Sequence, residues 1–331
     1  MVVTPEFHGY WRSIERAFQH LGYEVTSYCY DAAHKGEKLF NKVRYELPAQ
    51  LRGQQRHLSE DTVTTRACEA LAGVRPDLLL VVRGDSLTRR FWEQAAEQHV
   101  GTAVWLYDEL RRMRLDISAV TATGAGLATY SAADARSLTE NGLPTLHVPL
   151  AFDPDVPVTE RDPSGEFSFV GARFPKREAS VKAILANGLP VRAYGRGWSD
   201  HPIDRARTWR VSSSGVPSGR DLPLGETYGV MRASAGTLNI HGDQDGFTMR
   251  TFEACGVGGV QLIDRADVCD FYEPGSEVLV FEDDAELVDQ CRRILADPGR
   301  MAGLRERARR RTLAEHTFVH RARRLQAIWD R

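Results

Sequence analysis

Asn239-Ile240-His241-Gly242-Asp243-Gln244-Asp245-Gly246-Phe247-Thr248-Met249-Arg250-Thr251-Phe252-Glu253-Ala254-Cys255-Gly256 joins the expected end of a strand to a glycine turn and then to the first turns of a helix. Asp245 and Glu253 stand eight positions apart and bracket the helix start. The unpaired N–H groups of a helix's first turn point at anions, and carboxylates accept from hydroxyls, so the run suits a phosphorylated, hydroxyl-rich ligand. Whether that is its use depends on what stands around it.

Outward from this run, strands and helices alternate along the chain. Trp11, Ile14, Phe18 and Leu21 have helical spacing, Gly22 fits a helix stop, and Tyr23 to Cys29 is the next strand candidate. Ala32 to Leu58 is charged and weakly patterned. Leu78-Leu79-Leu80-Val81-Val82 is a continuous apolar run ending at Gly84-Asp85, the signature of a parallel strand buried on both faces, with Leu87 to Gln98 as its crossover helix. Thr102 to Leu106, Leu127 to Tyr130 and Thr145 to Val148 continue as strands, with a helix through Ser137. A second set follows: strands at Phe167 to Val170, Val191 to Tyr194, Thr237 to Ile240, Val260 to Ile263 and Val278 to Phe281. Its helices are expected at Arg177 to Ala186, Thr227 to Ala233, Thr248 to Cys255 and Ala285 to Leu295. Val211 to Asp221, rich in serine and glycine, reads as mobile, and charged helices from about Arg300 bury Leu304, Leu313, Phe318, Ala322, Leu325 and Trp329.

Pro144, Pro149, Pro154, Pro157 and Pro163 cluster between Gly142 and Gly165 and mark a linker. At 331 residues two domains are the natural expectation. Two parallel-sheet domains, 1–150 and 151–317, imply a cleft facing the carboxyl ends of their strands, where ligands bind in such sheets. Gly84-Asp85, Tyr107-Asp108, Gly171 to Lys176, Tyr194 to Trp198 and His241 to Glu253 all fall at strand ends.

Composition narrows the function. With 43 basic against 45 acidic residues and a formal charge of -2, the chain lacks the broad positive field of a nucleic-acid binder. Its five cysteines are widely spaced and form no CxxC pair, so a zinc site or disulfide scaffold is unsupported and free thiols in a reducing compartment are expected. No run of 18 apolar residues occurs and the start lacks a signal-peptide order, so the expectation is a cytoplasmic protein without stable membrane insertion. There is no GxGxxG opening near either domain's first strand, no GxxxxGK[ST] loop and no GxSxG elbow.

Phe169-Val170-Gly171-Ala172-Arg173-Phe174-Pro175-Lys176-Arg177 reads as strand, glycine turn and basic helix start. Glycine lets backbone approach a ligand, and Arg173, Lys176 and Arg177 offer charge-assisted donors to a diphosphate; the bland alternative is a solvated basic helix start. Tyr194-Gly195-Arg196-Gly197-Trp198 is a turn with either a ligand contact or an edge-covering role. His241 is read either as a packed histidine or as a sugar contact. Asp243, Asp245 and His241 permit a metal by ligand type, but the later ligands of a calcium loop are missing, and no catalytic metal is expected. Met249 and Phe252 are expected in the core.

The segment Asp245 to Gly256 resembles the two-domain (GT-B) nucleotide-sugar glycosyltransferases, and its Arg250-Thr251-Phe252-Glu253…Cys255-Gly256 run is similar to the spore-maturation (CgeB-like) branch of the group 1 relatives. Retaining members of that class carry acid-x7-Glu across this helix start; here aspartate stands at 245 where glutamate is usual. The resemblance covers roughly residues 165 to 325. It implies two Rossmann-like domains facing a central cleft, an acceptor-side domain over 1–150 and a donor-binding domain over 151–317, with the last helix, within 318–331, crossing back to the first domain.

Carried over by position, Glu253 holds ribose hydroxyls, Asp245 contacts the donor sugar, and Gly246, Phe247 and Thr248 lie against sugar and phosphates. Arg173, Lys176 and, as a further partner, Arg177 meet the diphosphate, with Gly171, Gly195, Arg196, Arg250 and Thr251 as additional contacts. The implied activity is metal-independent, retaining transfer from a UDP-, TDP- or GDP-sugar to a small-molecule, glycan or peptide hydroxyl. A nucleotide-sugar epimerase and a catalytically silent binding protein are the alternatives. Asp85 and Asp108 are candidates for an acceptor hydroxyl or plain solvated strand-end acids, with His241, Asp245 and Glu253 completing the candidate catalytic set; Lys35 to Arg56 is the charged segment expected to shape the acceptor side.

Overall fold

The continuous apolar run Leu78–Val82 becomes a central strand of the first sheet, because a parallel strand covered on both faces has no polar side. The computed structural model describes residues 1–31, 58–209 and 213–330; Lys35 to Arg56 lie outside them. By contact the chain forms one unit of Met1–Pro149 with Phe318–Arg331 and a second of Leu150–Thr317.

The first unit holds β1 (Val2–Thr4), β2 (Ser27–Cys29), β3 (Leu78–Val82), β4 (Gly101–Leu106), β5 (Gly126–Thr129) and β6 (Thr145–His147). They pair in the order β2-β1-β3-β4-β5-β6, all parallel. Leu79, Val81, Val104 and Leu106 are fully buried, each removing an aliphatic side chain from water at roughly 1.5–3 kcal/mol. The helix Tyr10–His20 packs on the terminal helix Phe318–Gln326. The Phe318 ring lies 6.5 Å from Tyr10, Arg321 Nε donates to the Pro149 carbonyl at 3.0 Å, and Gln326 donates to Tyr23 Oη at 2.8 Å. Trp329 meets Phe18 edge-on at 5.8 Å but is only half-buried, as is Leu313, whose expected core place goes to its neighbour Thr312.

The second unit repeats the plan with β7 (Phe167–Val170), β8 (Val191–Tyr194), β9 (Ser218–Gly219), β10 (Gly236–Asn239), β11 (Gln261–Ile263) and β12 (Leu279–Val280). Its order is β12-β11-β10-β7-β8-β9, again all parallel. From β7 the chain runs outward through β8 and β9, then returns to the other side of β7 as β10. The order therefore reverses between β7 and β10, leaving a crevice at their carboxyl ends. The proline-rich stretch is strapped to this unit: Leu150, Ala151 and Phe152 are buried and Thr159 N–H donates to the Gly225 carbonyl at 3.0 Å. A Cβ on Gly229 would lie 1.9 Å from the Thr159 carbonyl oxygen, so glycine lets the helix Leu224–Ala233 lie against that strap. Of Val211 to Asp221, read as mobile, the described part supplies β9, where Ser218 pairs with Ala193 and Gly219 with Tyr194. Among the described residues no helix is long and apolar enough to cross a membrane.

Candidate functional site

The site residues expected from sequence in the second unit sit around the β7/β10 switch point. The helix Met249–Gly256 starts there, with Thr248 extended at its N-cap and its side chain making no cap bond to the first turn. Its apolar face is deeply set: Phe252 is fully buried among the rings of Phe271, Tyr272 and His316, and Met249 is buried beside it in sequence. That burial, more than capping, holds the helix in place.

Glu253 is fully buried as well. Its carboxylate pairs with Arg250 and lies 3.5 Å from Tyr228 Oη. To receive ribose hydroxyls, Glu253 has to be reached past Arg250. Thr251 is buried with its hydroxyl accepting from Asn239 Nδ2 at 2.9 Å, and the same amide donates to Gln261 Oε1 at 2.9 Å. Thr251 thus closes an internal polar chain binding β10, β11 and the helix together.

Three basic residues after β7 have different partners. Arg173 forks onto Glu178 at 2.7 and 2.8 Å, which raises the guanidinium above its ordinary value and holds the Glu178 carboxyl down at about 2. Lys176 Nζ lies 2.6 Å from Asp264 Oδ2. Arg177 instead donates to two carbonyls, Ile240 at 2.8 Å and Ala172 at 3.1 Å, under the rings of Phe169 and Phe174. Burial lowers its pKa from the ordinary value. Among the described residues no carboxylate lies within salt-bridge distance of Arg177, although the charge of Asp264 acts on it from further off.

Gly171 and Gly195 meet through their backbones: Gly171 N–H donates to the Tyr194 carbonyl at 3.0 Å, and Trp198 Nε1 donates to the Gly171 carbonyl at 3.0 Å. Gly195 has φ +144, and a Cβ there would stand 2.5 Å from the Gly171 oxygen. Arg196 is drawn outward onto Asp221 at 3.1 Å.

Two residues absent from the sequence reading, Asp264 and Arg265, organise the loop after β10. Asp264, after β11, accepts the His241 main-chain N–H at 2.9 Å and lies 3.0 Å from His241 Nδ1. Burial pushes its carboxyl up, but the bonds from His241 and Lys176 outweigh it and hold it below its ordinary value. Burial lowers the pKa of the His241 ring, against the opposing pull of Asp264. Arg265 Nη1 donates to the carbonyls of Gln244 at 3.0 Å and Asp245 at 2.6 Å, while its guanidinium lies 3.9 Å over Phe247. Gly246 and Phe247 are buried under this clasp, and the Asp245 side chain is half-buried. Nothing local in Ile263-Asp264-Arg265 signals these roles: besides the neighbouring Asp267, which Arg265 also grips, the partners that matter here are far away in the chain.

In the first unit, Asp85 takes Arg83 Nη2 at 2.9 Å and Asp108 accepts the Glu109 N–H at 3.0 Å. Both belong to the first unit, as does the Tyr107 hydroxyl, buried without a partner among the described residues. No group of three or more His, Cys, Asp or Glu side chains forms a metal-ligand set among the described residues.

Residues 176–327 match the family described as Glycosyl transferase-like. No curated protein matches the chain. Anabaena HepE, solved with UDP, is 12% identical over 98% of this chain and 98% of its own, with a TM-score of 0.63; its UDP-glucose complex gives 0.61. Sucrose-phosphate synthase from Thermosynechococcus elongatus is 13% identical over 99% of this chain and 98% of its own, at a TM-score of 0.62. TarM is 8% identical over 80% of this chain, which spans only 58% of TarM's length, at 0.58. At such identities the likeness is one of fold. The chain accordingly has the two-sheet GT-B fold, and its residues 176–327 are similar to the glycosyl transferase-like family.

Proposed function

We propose that the protein transfers a sugar from a nucleotide-diphosphate donor, held in the second unit at the β7/β10 switch point, to a hydroxyl-bearing acceptor. The observation that carries the proposal is the convergence there of a helix start whose N-cap side chain makes no cap bond, the glycine turn at Gly171 and the cation Arg177, which among the described residues has no carboxylate within salt-bridge distance. The complexes of HepE with UDP and UDP-glucose support the donor class, and the Arg250-Thr251-Phe252-Glu253…Cys255-Gly256 run supports the CgeB-like branch.

In this reading Arg177 leads the phosphate contacts, with Arg173 and Lys176 behind it because Glu178 and Asp264 already engage them. Departure of the sugar breaks the bond from its anomeric carbon to the diphosphate oxygen and leaves growing negative charge on the phosphates. Arg177 and the N–H groups of Met249 and Arg250 stabilise that charge in place. The acceptor oxygen forms its bond to the anomeric carbon from the same face, and its proton passes to the departing phosphate oxygen. Asp245 contacts the sugar and Glu253 the ribose, as donor-binding groups and not as the acid and base of a hydrolase. Asp85 and Asp108 remain the acids proposed for the acceptor. Free cysteines, three of them buried, support a reducing, cytoplasmic setting.

Calorimetric titration with UDP-, GDP- and TDP-sugars, with and without EDTA, tests the donor site. Saturable binding of at least one sugar nucleotide, unaffected by EDTA, is expected; no binding by any of them overturns the proposal. Release of nucleotide dependent on an added acceptor separates transfer from epimerisation, which needs none, and from silent binding, which releases nothing.

A further inference from the structure

His241 Nε2 is buried without a hydrogen-bond partner among the described residues, in a side chain only 1% exposed. The other ring nitrogen, Nδ1, lies 3.0 Å from Asp264 Oδ1. A carboxylate offers only acceptors, so the bond requires the ring hydrogen on Nδ1. In the neutral ring Nε2 then carries a bare lone pair. A buried acceptor left unmet is costly and rare, which marks this atom out from an ordinary packed histidine.

We propose that Asp264 is a positioning residue that presents His241 Nε2 as a hydrogen-bond acceptor, and that the group it receives is a hydroxyl of the donor sugar, not a phosphate oxygen. The inference rests on the donor reading given above. Asp264 is well built for the task. It takes the His241 main-chain N–H as well as the ring, is itself 3% exposed, and is anchored from the other side by Lys176. Backbone and ring are therefore fixed by the same carboxylate, across two adjacent parallel strands, β10 and β11. A bare lone pair repels phosphate oxygens and accepts from hydroxyls, so His241 discriminates between the two ends of a sugar nucleotide. Phosphate contact falls instead to Arg177, whose Nε grips the carbonyl of Ile240, the residue just before His241.

The Phe247 ring stands edge-on to His241 at 5.5 Å. The loop bearing Phe247 is clasped by Arg265 through main-chain carbonyls at Gln244 and Asp245.

The test has two arms on the full-length protein. First, nitrogen NMR of isotope-labelled histidine reports the His241 tautomer near neutral pH without any ligand. The Nδ1–H form is expected; an Nε2–H ring or a doubly protonated ring overturns the proposal. In Asp264→Asn the amide can turn its NH2 toward Nδ1, and the ring hydrogen is expected to move to Nε2. Second, affinities for UDP-, GDP- and TDP-glucose are compared with those for UDP, GDP and TDP. His241→Asn retains a side-chain donor toward Asp264 but lacks Nε2. It is expected to lower the ratio of sugar-nucleotide to nucleotide affinity about tenfold, the equivalent of one hydrogen bond, and Asp264→Asn to do the same. An unchanged ratio in His241→Asn overturns the sugar contact. Failure of every nucleotide and sugar nucleotide to bind the unaltered protein instead overturns the donor reading and the sugar contact with it, while the tautomer still decides the role of Asp264.

Discussion

Arg177 Nε donates to the carbonyl of Ile240 at 2.8 Å, tying the helix that follows β7 to the end of β10. One side chain thus closes the edge of the crevice where the strand order reverses, and among the described residues no carboxylate stands within salt-bridge distance of its charge, Asp264 acting on it from further off. Arg173 and Lys176, which look equivalent in sequence, are each engaged by an acid.

Replacement of Arg177 by alanine is expected to weaken sugar-nucleotide binding by about tenfold to a hundredfold, since hydrogen bonds to charged groups are worth about 1.5–3 kcal/mol. Lysine restores the charge but not the two-carbonyl grip, so Arg177→Lys should recover only part of the affinity. Titration calorimetry decides the matter; normal affinity in Arg177→Ala contradicts the assignment.

Gly195→Ala is expected to destabilise the second unit by about 1–3 kcal/mol, because the backbone sits where L-residues are strained and the new methyl meets the Gly171 carbonyl oxygen. Urea unfolding measures the loss. Since the collision moves Gly171, donor affinity should fall as well, and a variant as stable as the parent would show that the turn can open without cost.

Glu178 gives a pH signature. Bonds from Arg173 and Lys182 lower its carboxyl from 4.5 to about 2, so the folded state holds the charged form more tightly than the unfolded chain. The stabilisation is complete above 4.5 and is lost as pH falls toward about 2. Urea titrations across that window should show Glu178→Gln losing stability less steeply with acid than the parent. Parallel curves for the two proteins would remove Glu178 from the account.

For the pair of the buried Glu253 with the half-buried Arg250, Glu253→Gln is expected to cost about 2 kcal/mol of stability, and Arg250→Ala to be less than additive with it. A double-mutant cycle read by chemical denaturation gives the coupling directly. Full additivity would mean that the two side chains do not support one another.

Much of the fold was legible because buried parallel strands are short segments rich in apolar residues, as Leu78–Val82 shows most plainly. Leu78–Val82, Phe167–Val170 and Val191–Tyr194 have the same ends in sequence and in structure. β1 and β9 escaped notice, being three and two residues long and too short to show a period. The strand read over Tyr23 to Cys29 shrinks to Ser27–Cys29, where pairing with β1 begins. The run 239–256 announced a strand, a turn and a helix start, and Met249 and Phe252 are buried as their apolar character requires.

The amino-acid order by itself determined the alternation of strands and helices, the two-sheet plan and the place of the glycine turns, all of which depend on neighbours within a few positions. Only the tertiary structure decided which of Arg173, Lys176 and Arg177 has no carboxylate within salt-bridge distance among the described residues, that Glu253 is fully buried with Arg250 as its ion-pair partner, and that Asp264 and Arg265 govern the loop after β10. Arg173–Glu178 and Arg250–Glu253 are neighbours along the chain, and folding decides only how deeply each is buried. The roles of Asp264 and Arg265 follow from strand order: β7, β10 and β11 lie side by side in the sheet but far apart in the chain, so their long-range partners are whichever groups the packed sheet brings within reach, and local spacing carries no record of that choice.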